Sequence, residues 1–277
     1  MLLKRLVKNL LLIFAVFCCS TTLAQKNEIT LVSWNIQHFG QSKSSAELKK
    51  IAAVVKDADI VAVQEVVAGY GGPQAVAKLT AILNGKGAIW DYIVSAPTNS
   101  SKYMTERYAF IWKPKHIKIK NRGYLITDLQ NTVEREPLIV DFYVGSKRFS
   151  ILNFHSISHR KNPRPEIKAL TKYMMNGRFT YPVILAGDFN VNEGDLVFKD
   201  FLNSGYHPSV FNKKTTLKSK CLHGQYLNYS IDNIYFSKRV SKIDSGVIDH
   251  VLVCDEIENA RKLSDHLPVY LTFSLDR

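Results

Sequence analysis

Residues 183–190 read VILAGDFN. Val183 to Ala186 is a short, wholly apolar run that stops at a glycine, the pattern of a strand buried in a sheet. Asp188 and Asn190 follow immediately, a carboxylate and an amide just past the strand end. In layered α/β proteins, ligands gather where strand ends converge. The same arrangement recurs on both sides of this stretch. FSILNFHS at 149–156 is a strand over Phe149–Phe154 with His155 after it. IVAVQE at 60–65 is a buried strand over Ile60–Val63 that leads to Glu65. EITLVSWN at 28–35 alternates, is β-branched, and ends on Asn35.

Further out, strands are expected at Tyr92–Ser95, Tyr108–Trp112, Leu138–Val144, Ile231–Phe236, Gly246–Val253 and Val269–Phe273. Helices fall between some of them. One starts at Ser45, with Ala46, Ile51, Ala52 and Val55 on one face and Lys49, Lys50 and Lys56 on the other. Others span Gln74–Leu83, stopped near Gly85, then Pro165–Met175 and Leu196–Leu202. Strands joined by helices in places and by hairpins in others predict a mixed, layered α/β domain.

The chain has 277 residues, 46% hydrophobic and 22% charged, which excludes a disordered chain; 9 Pro and 14 Gly exclude a collagen-like or low-complexity one. Residues 1–24 read as a secretory signal peptide. Lys4, Arg5 and Lys8 precede an apolar run from Leu10 to Cys18, and Thr22-Leu23-Ala24 offers small-residue cleavage chemistry. The run falls short of the ~20 residues that cross a bilayer. The expected organisation is therefore one domain over 25–277, secreted or periplasmic, not inserted in a membrane after cleavage, and monomeric. The full chain carries a net charge of +13; less the three cations Lys4, Arg5 and Lys8, the mature chain carries +10. Such a charge favours polyanions: nucleic acid, anionic headgroups or acidic polysaccharide. The mature chain keeps Cys221 and Cys254. A disulfide in an oxidising compartment and two free buried thiols are both compatible with the sequence.

Asn35, Glu65, Asp188, Asn190 and Asp265 are oxygen donors on separate strand ends or turns. A hard divalent cation takes one or two carboxylates, with water and phosphate completing its shell. An ordinary turn or cap accounts for any one of these residues alone, but hardly for five together. Of eight histidines, His155 and His266 stand out by position, the second within LSDHLPV. An imidazole moves protons near neutral pH when a carboxylate fixes its tautomer. Glu106 and Asp232 are available for that.

Taken in order, WNI (34–36), QE (64–65), ERY (106–108), REP (135–137), NFHS (153–156), GDFN (187–190), IDNIY (231–235) and SDHLPV (264–269) resemble the endonuclease/exonuclease/phosphatase superfamily. ERY with REP and the FHS histidine resembles its deoxyribonuclease I-like subgroup, bacterial members included. The resemblance covers nearly the whole mature chain. It implies a four-layered α/β/β/α sandwich of two packed mixed sheets. It implies endonucleolytic hydrolysis of DNA phosphodiesters with Mg²⁺, or with Ca²⁺ or Mn²⁺, through phosphate-backbone contacts of little sequence preference.

Carried over position by position, Glu106–His155 and Asp232–His266 are acid/base pairs. Asp188 and Asn190 position the phosphate and the water. Glu65 ligates the metal with Asn35 and Asp265. Arg107 and Arg135 contact phosphate or the framework, Arg135 being the better phosphate candidate. Three positions depart from deoxyribonuclease I. Val67 stands where a groove-entering arginine is found, Met104 where a stacking tyrosine is found (Tyr103 lies one step away), and Asn233 where an arginine follows the aspartate. The GYGGP stretch at 69–73 reads as a flexible turn or a further contact surface. Another phosphoesterase on the same scaffold, sphingomyelinase-like or acting on inositol phosphates, and a non-catalytic DNA-binding or adhesive protein are the alternatives.

Overall fold

Alternation along the first strand sets the layers. In a computed structural model that describes residues 28–177 and 179–275, β1 (Glu28–Phe39) turns Ile29 and Leu31 toward one core and Val32, Trp34 and Ile36 toward another. The expected signal segment, residues 1–24, lies outside the described residues. β1 is central in a six-stranded sheet of order β14 (Val240–Val247), β15 (Val269–Leu275), β1, β2 (Ile60–Val67), β4 (Glu106–Trp112), β3 (Asp91–Val94). The second sheet runs β10 (Tyr206–Pro208), β13 (Asp232–Ser237), β9 (Val183–Asp188), β8 (Lys147–His155), β7 (Leu138–Val144), β5 (Lys118–Ile119), and β6 (Tyr124–Leu125) also pairs with β7. Both sheets are mixed: β1–β2 and β8–β9 are parallel, their other pairings antiparallel.

The sheets face each other across a core that includes Leu31, Phe110, Phe142, Phe149, Ile184, Ile234 and Phe273. The outer face of the first sheet is covered by α1 (Ser45–Val55) and α2 (Gly71–Asn84). That of the second is covered by α3 (Arg164–Asn176) and α4 (Lys199–Asn203). The result is the α/β/β/α sandwich. A hairpin of β11 (Leu217–Leu222) and β12 (Gln225–Leu227) lies over a small cluster of Leu217, Val251 and Leu267 with Ile257 and Ala260 of α5 (Ile257–Leu263). No helix among the described residues is long and apolar enough to cross a membrane.

Local chemistry explains the elements and the departures from expectation. α1 begins with a capping box, Ser44 accepting from Glu47 N and Glu47 from Ser44 N, which satisfies two donors left open at a helix start. Its buried face uses Leu48, Ile51, Ala52 and Val55, so Leu48 takes the place expected of Ala46. The GYGGP stretch is not simply a turn: Gly71, Gly72 and Pro73 form the first turn of α2, and a Cβ on Gly72 would lie 2.0 Å from the carbonyl oxygen of Val67.

The strand expected at Gly246–Val253 instead runs Val240–Val247. It is an edge strand with a polar, mostly exposed face, so apolar runs do not mark it. The apolar residues that suggested it include Val251, which is buried under the hairpin. Cys221 and Cys254 are bonded, with Cα atoms 5.6 Å apart across a separation of 33 residues. Closing such a loop stabilises the fold by about 4 kcal/mol on the chain-entropy account.

Candidate active site

The strand ends that carry the polar residues meet at one rim of the sandwich. Asp188, the last residue of β9, is at the centre. Its backbone is admitted by Gly187, which has φ +153° and where a Cβ would lie 1.8 Å from the carbonyl oxygen of Phe154 on the neighbouring strand. Only glycine fits so close an approach. Asp188 Oδ1 accepts from the backbone N–H of Asn190 (2.8 Å). Its Oδ2 accepts from Asn35 Nδ2 (3.1 Å) and lies 3.5 Å from His155 Nε2 and 3.7 Å from His266 Nε2. The two imidazoles therefore face one carboxylate oxygen from two sides.

Each imidazole is held from behind by its own carboxylate. His155 Nδ1 donates to Glu106, 3.0 Å from either oxygen, and His266 Nδ1 donates to Asp232 at 2.9 and 3.0 Å. A carboxylate only accepts, so each Nδ1 carries a proton and each Nε2 faces the cleft. Both pairs cross the seam between the sheets. Glu106 belongs to the first sheet and His155 to the second; Asp232 belongs to the second, and His266 lies on the segment that leads through Leu267 and Pro268 into β15 of the first.

The charges act strongly because the groups are buried. Burial pulls His266 down, but Asp232 and Asp188 outweigh it and push the imidazole up to about 10. Burial raises Asp232 to about 6, with His266 pulling it down and Asp188 adding to the rise. His155 is pulled down by burial and raised overall by Glu106. Arg135, 3.0 Å from Glu106, counters part of that rise.

A second group lies beside this one. β2 bulges between Val63 and Val66, and Glu65 takes φ +58°, which re-aims its side chain into the cleft. Its oxygens accept from Asn35 Nδ2 (3.1 Å) and the backbone N–H of His38 (3.0 Å). Burial raises its carboxyl, but His155, His38 N–H, Asn35 and His266 together leave it below its ordinary value. Asn35 spends its amide protons on Glu65 and Asp188, leaving Oδ1 buried with no partner. An orphaned carbonyl oxygen beside an ionised carboxylate is what a hard cation seeks. Half-buried Asp265 adds a nearby negative charge felt by His266 and Lys43. The expected metal set thus suits Mg²⁺ in its donor chemistry. Asp188, Asp232 and His266 also offer three donor atoms within 4.8 Å of one another, but that set includes an imidazole nitrogen, which Mg²⁺ disfavours.

The two arginines are held by the framework. Arg107 donates to the carbonyls of Ala68 and Ser95. Arg135 is buried, ion-paired with Glu106, and donates to the carbonyls of Met104, His155 and Ser156. Of the two roles open to them, phosphate or framework contact, these are framework contacts. Asn190 sits at the rim with φ +52°, its amide 3.4 Å from the carbonyl of Ser156. Asn233 is likewise internal, bonded to Ser209 and Val210.

Supporting residues complete the site: Ser264, Gln64 and Asn153 lie inside the motifs, and Thr215 lies outside them. Ser264 Oγ donates to the carbonyl of Asn35 (2.6 Å) and accepts from His266 N, tying the two loops together. Thr215 Oγ1 donates to Asp232 (2.6 Å). Gln64 and Asn153, bonded at 2.6 Å, stitch the sheets together beneath the cleft. A motif shows which residue types stand together; only the fold shows that these bond one another rather than a ligand.

The profile of the Endonuclease/Exonuclease/phosphatase family matches residues 32–266. A deoxyribonuclease of Thioalkalivibrio sp. (strain K90mix) is 27% identical over 266 residues, 89% of this chain and 71% of that protein. Deoxyribonuclease-1 of Oryctolagus cuniculus is 28% identical over 191 residues, 64% of this chain and 66% of that protein. Among solved structures, an endonuclease/exonuclease/phosphatase family protein from Bacteroides thetaiotaomicron superposes with a TM-score of 0.64 at 19% identity, covering 90% of this chain and 98% of that one.

Proposed function

Because this chain belongs to the endonuclease/exonuclease/phosphatase family, in its deoxyribonuclease I-like branch, we propose that it is a secreted, divalent-metal-dependent endonuclease that hydrolyses DNA phosphodiester bonds with little sequence preference. One observation carries the reading: two carboxylate-held imidazoles converge on Asp188 Oδ2, at 3.5 and 3.7 Å. Relatives that bear the name deoxyribonuclease and a basic chain support DNA as the substrate. The apolar leader at residues 1–24 and the Cys221–Cys254 bond support export to an oxidising compartment.

A phosphodiester is anionic, so a nucleophile approaches it against repulsion. Held by Asn35, Glu65 and Asp265, Mg²⁺ would offset that repulsion and favour the charge that grows in the transition state. His155 takes the proton from the attacking water. It suits this role by geometry: Glu106 holds its Nδ1, so its Nε2 faces the cleft 3.5 Å from Asp188. His266, held protonated by Asp232 and Asp188, gives its proton to the leaving oxygen. Asp188 and Asn190 orient the water and the phosphate between the rings. Each proton transfer is worth ~10²–10⁴ in rate.

Plasmid nicking tests the proposal. The purified protein should convert supercoiled plasmid to open circles with Mg²⁺ and stop in EDTA. His155→Ala and His266→Ala should each lose at least ~10²-fold while keeping the wild-type circular dichroism. Nicking that survives EDTA, or either variant cutting near the wild-type rate, refutes the assignment.

A further inference from the structure

Beside Asn190, the described structure has a cavity of about 610 Å³ that the chemistry above does not use. Its volume lies within the ~300–1,000 Å³ typical of sites that enclose a small organic ligand. Loops leaving the ends of β8, β9 and β10 and the chain before β13 form its walls. Val191 and Ile231 line it with apolar surface, and Tyr229, a residue 63% exposed, lines it as well. The side-chain amides of Asn212 and Asn228, also in the lining, show no hydrogen bond among the described residues, where only their backbone N–H groups are bonded.

The cavity is built rather than accidental. Glu193 is buried and accepts from Asn212 N (2.5 Å) and Ser230 Oγ (2.7 Å), joining two walls. The backbone of Tyr229 is fixed on both sides. Its N–H donates to Thr216 Oγ1 (2.8 Å), and its carbonyl accepts from Thr215 N (2.6 Å). An exposed aromatic ring thus stands on a rigid segment above an apolar floor, with unspent amides beside it. Arg160 and Lys214 bring positive charge to the same lining. A flat, aromatic ligand with hydrogen-bonding edges and an attached phosphate matches each of these features.

We propose that this cavity seats one unpaired nucleobase of the substrate strand, stacked on Tyr229, with an adjoining phosphate carried toward Asn190. The inference rests on the phosphodiesterase reading and deepens it. A base that is paired and stacked in a duplex cannot enter a cavity without leaving its helix, at a cost that a single strand is spared. The enzyme therefore prefers single-stranded or locally unpaired DNA to perfect duplex. Tyr229 acts by stacking, which tolerates any base, and so adds affinity without sequence choice.

The test compares kcat/KM under Mg²⁺ on three substrates: single-stranded oligothymidylate, a strand of the same length built of base-free tetrahydrofuran units, and a perfect duplex. Oligothymidylate should be cleaved about tenfold more efficiently than the base-free strand, and also better than the duplex. Tyr229→Ala should lower the oligothymidylate value about tenfold, through KM, so that it approaches that of the base-free strand. Tyr229→Phe, which keeps the ring, should hold the wild-type preference. Equal cleavage of the strands with and without bases, an equal loss on both in Tyr229→Ala, or cleavage confined to duplex overturns the proposal and leaves the phosphodiesterase reading standing. Failure of the wild-type protein to cut any DNA overturns both.

Discussion

Replacing Asp232 by Asn removes one negative charge from behind His266 and leaves the size of the side chain almost unchanged. In the native protein Asp232 lies 2.9 Å from His266 Nδ1, and with Asp188 it pushes the imidazole up to about 10 despite burial. An unfolded histidine titrates near ~6.5. The native state therefore binds more protons than the unfolded state between those values. The stability this contributes is whole below ~6.5 and is lost as pH rises through about 10. The slope is about 1.4 kcal/mol per pH unit for one extra bound proton, so stability should fall across that window by an amount that Asp232 shares with Asp188 and Asp265.

Asp232 has the same sign. Its native value, about 6, lies above the unfolded value, so its contribution falls as pH rises through the acid range. In Asp232→Asn both effects shrink. Urea unfolding in EDTA, at several pH values from 5 to 10, should show the wild type losing stability toward alkaline pH with a steeper slope than the variant. Imidazole NMR should place His266 well below its wild-type value, and nicking at neutral pH should fall by about 10⁴-fold, by analogy with loss of the orienting carboxylate in a catalytic triad. Parallel stability curves for the two proteins, with an unmoved His266 resonance, would refute the buried ion pair.

Gly187→Ala should lower the melting temperature by several degrees and abolish nicking, because strain at that φ and the clash with Phe154 O each cost ~1–3 kcal/mol; calorimetry and the plasmid assay would show both. Cys254→Ser, or reduction of the wild type, should cost about 4 kcal/mol in urea unfolding. Activity should fall as well, because the freed hairpin bonds directly to the catalytic loop through Leu217 N and Asp265 O (2.8 Å). A reduced protein that unfolds at the same urea concentration would show that the link is dispensable.

What the sequence made legible follows from burial. β2, β8 and β9 lie between layers, so both their faces are apolar and short runs such as VILA identify them. β14, on an edge with mostly exposed residues, leaves no such mark. The short strands β11 and β12 lie off both sheets, and β11 is tied through Cys221 to a partner 33 residues away, which no local pattern encodes. The site was legible where residue type limits the chemistry: a histidine past a buried strand, a carboxylate on a separate strand end. It was not legible where a group has several uses. The guanidinium of Arg135 suits a phosphate as well as it suits Glu106 and three carbonyls, and the fold alone decides between them. The cavity at Tyr229 was hidden for a related reason: four segments distant in sequence enclose it, and none of them is unusual alone.

The crossing of both imidazole pairs over the seam has a further consequence. Neither sheet owns a complete half of the machinery: one supplies Glu106 and the chain leading to His266, the other His155 and Asp232. The reaction centre exists only while the two slabs stay in register. The buried phenylalanines that keep them so, far from the cleft, are thus as much guardians of turnover as of shape.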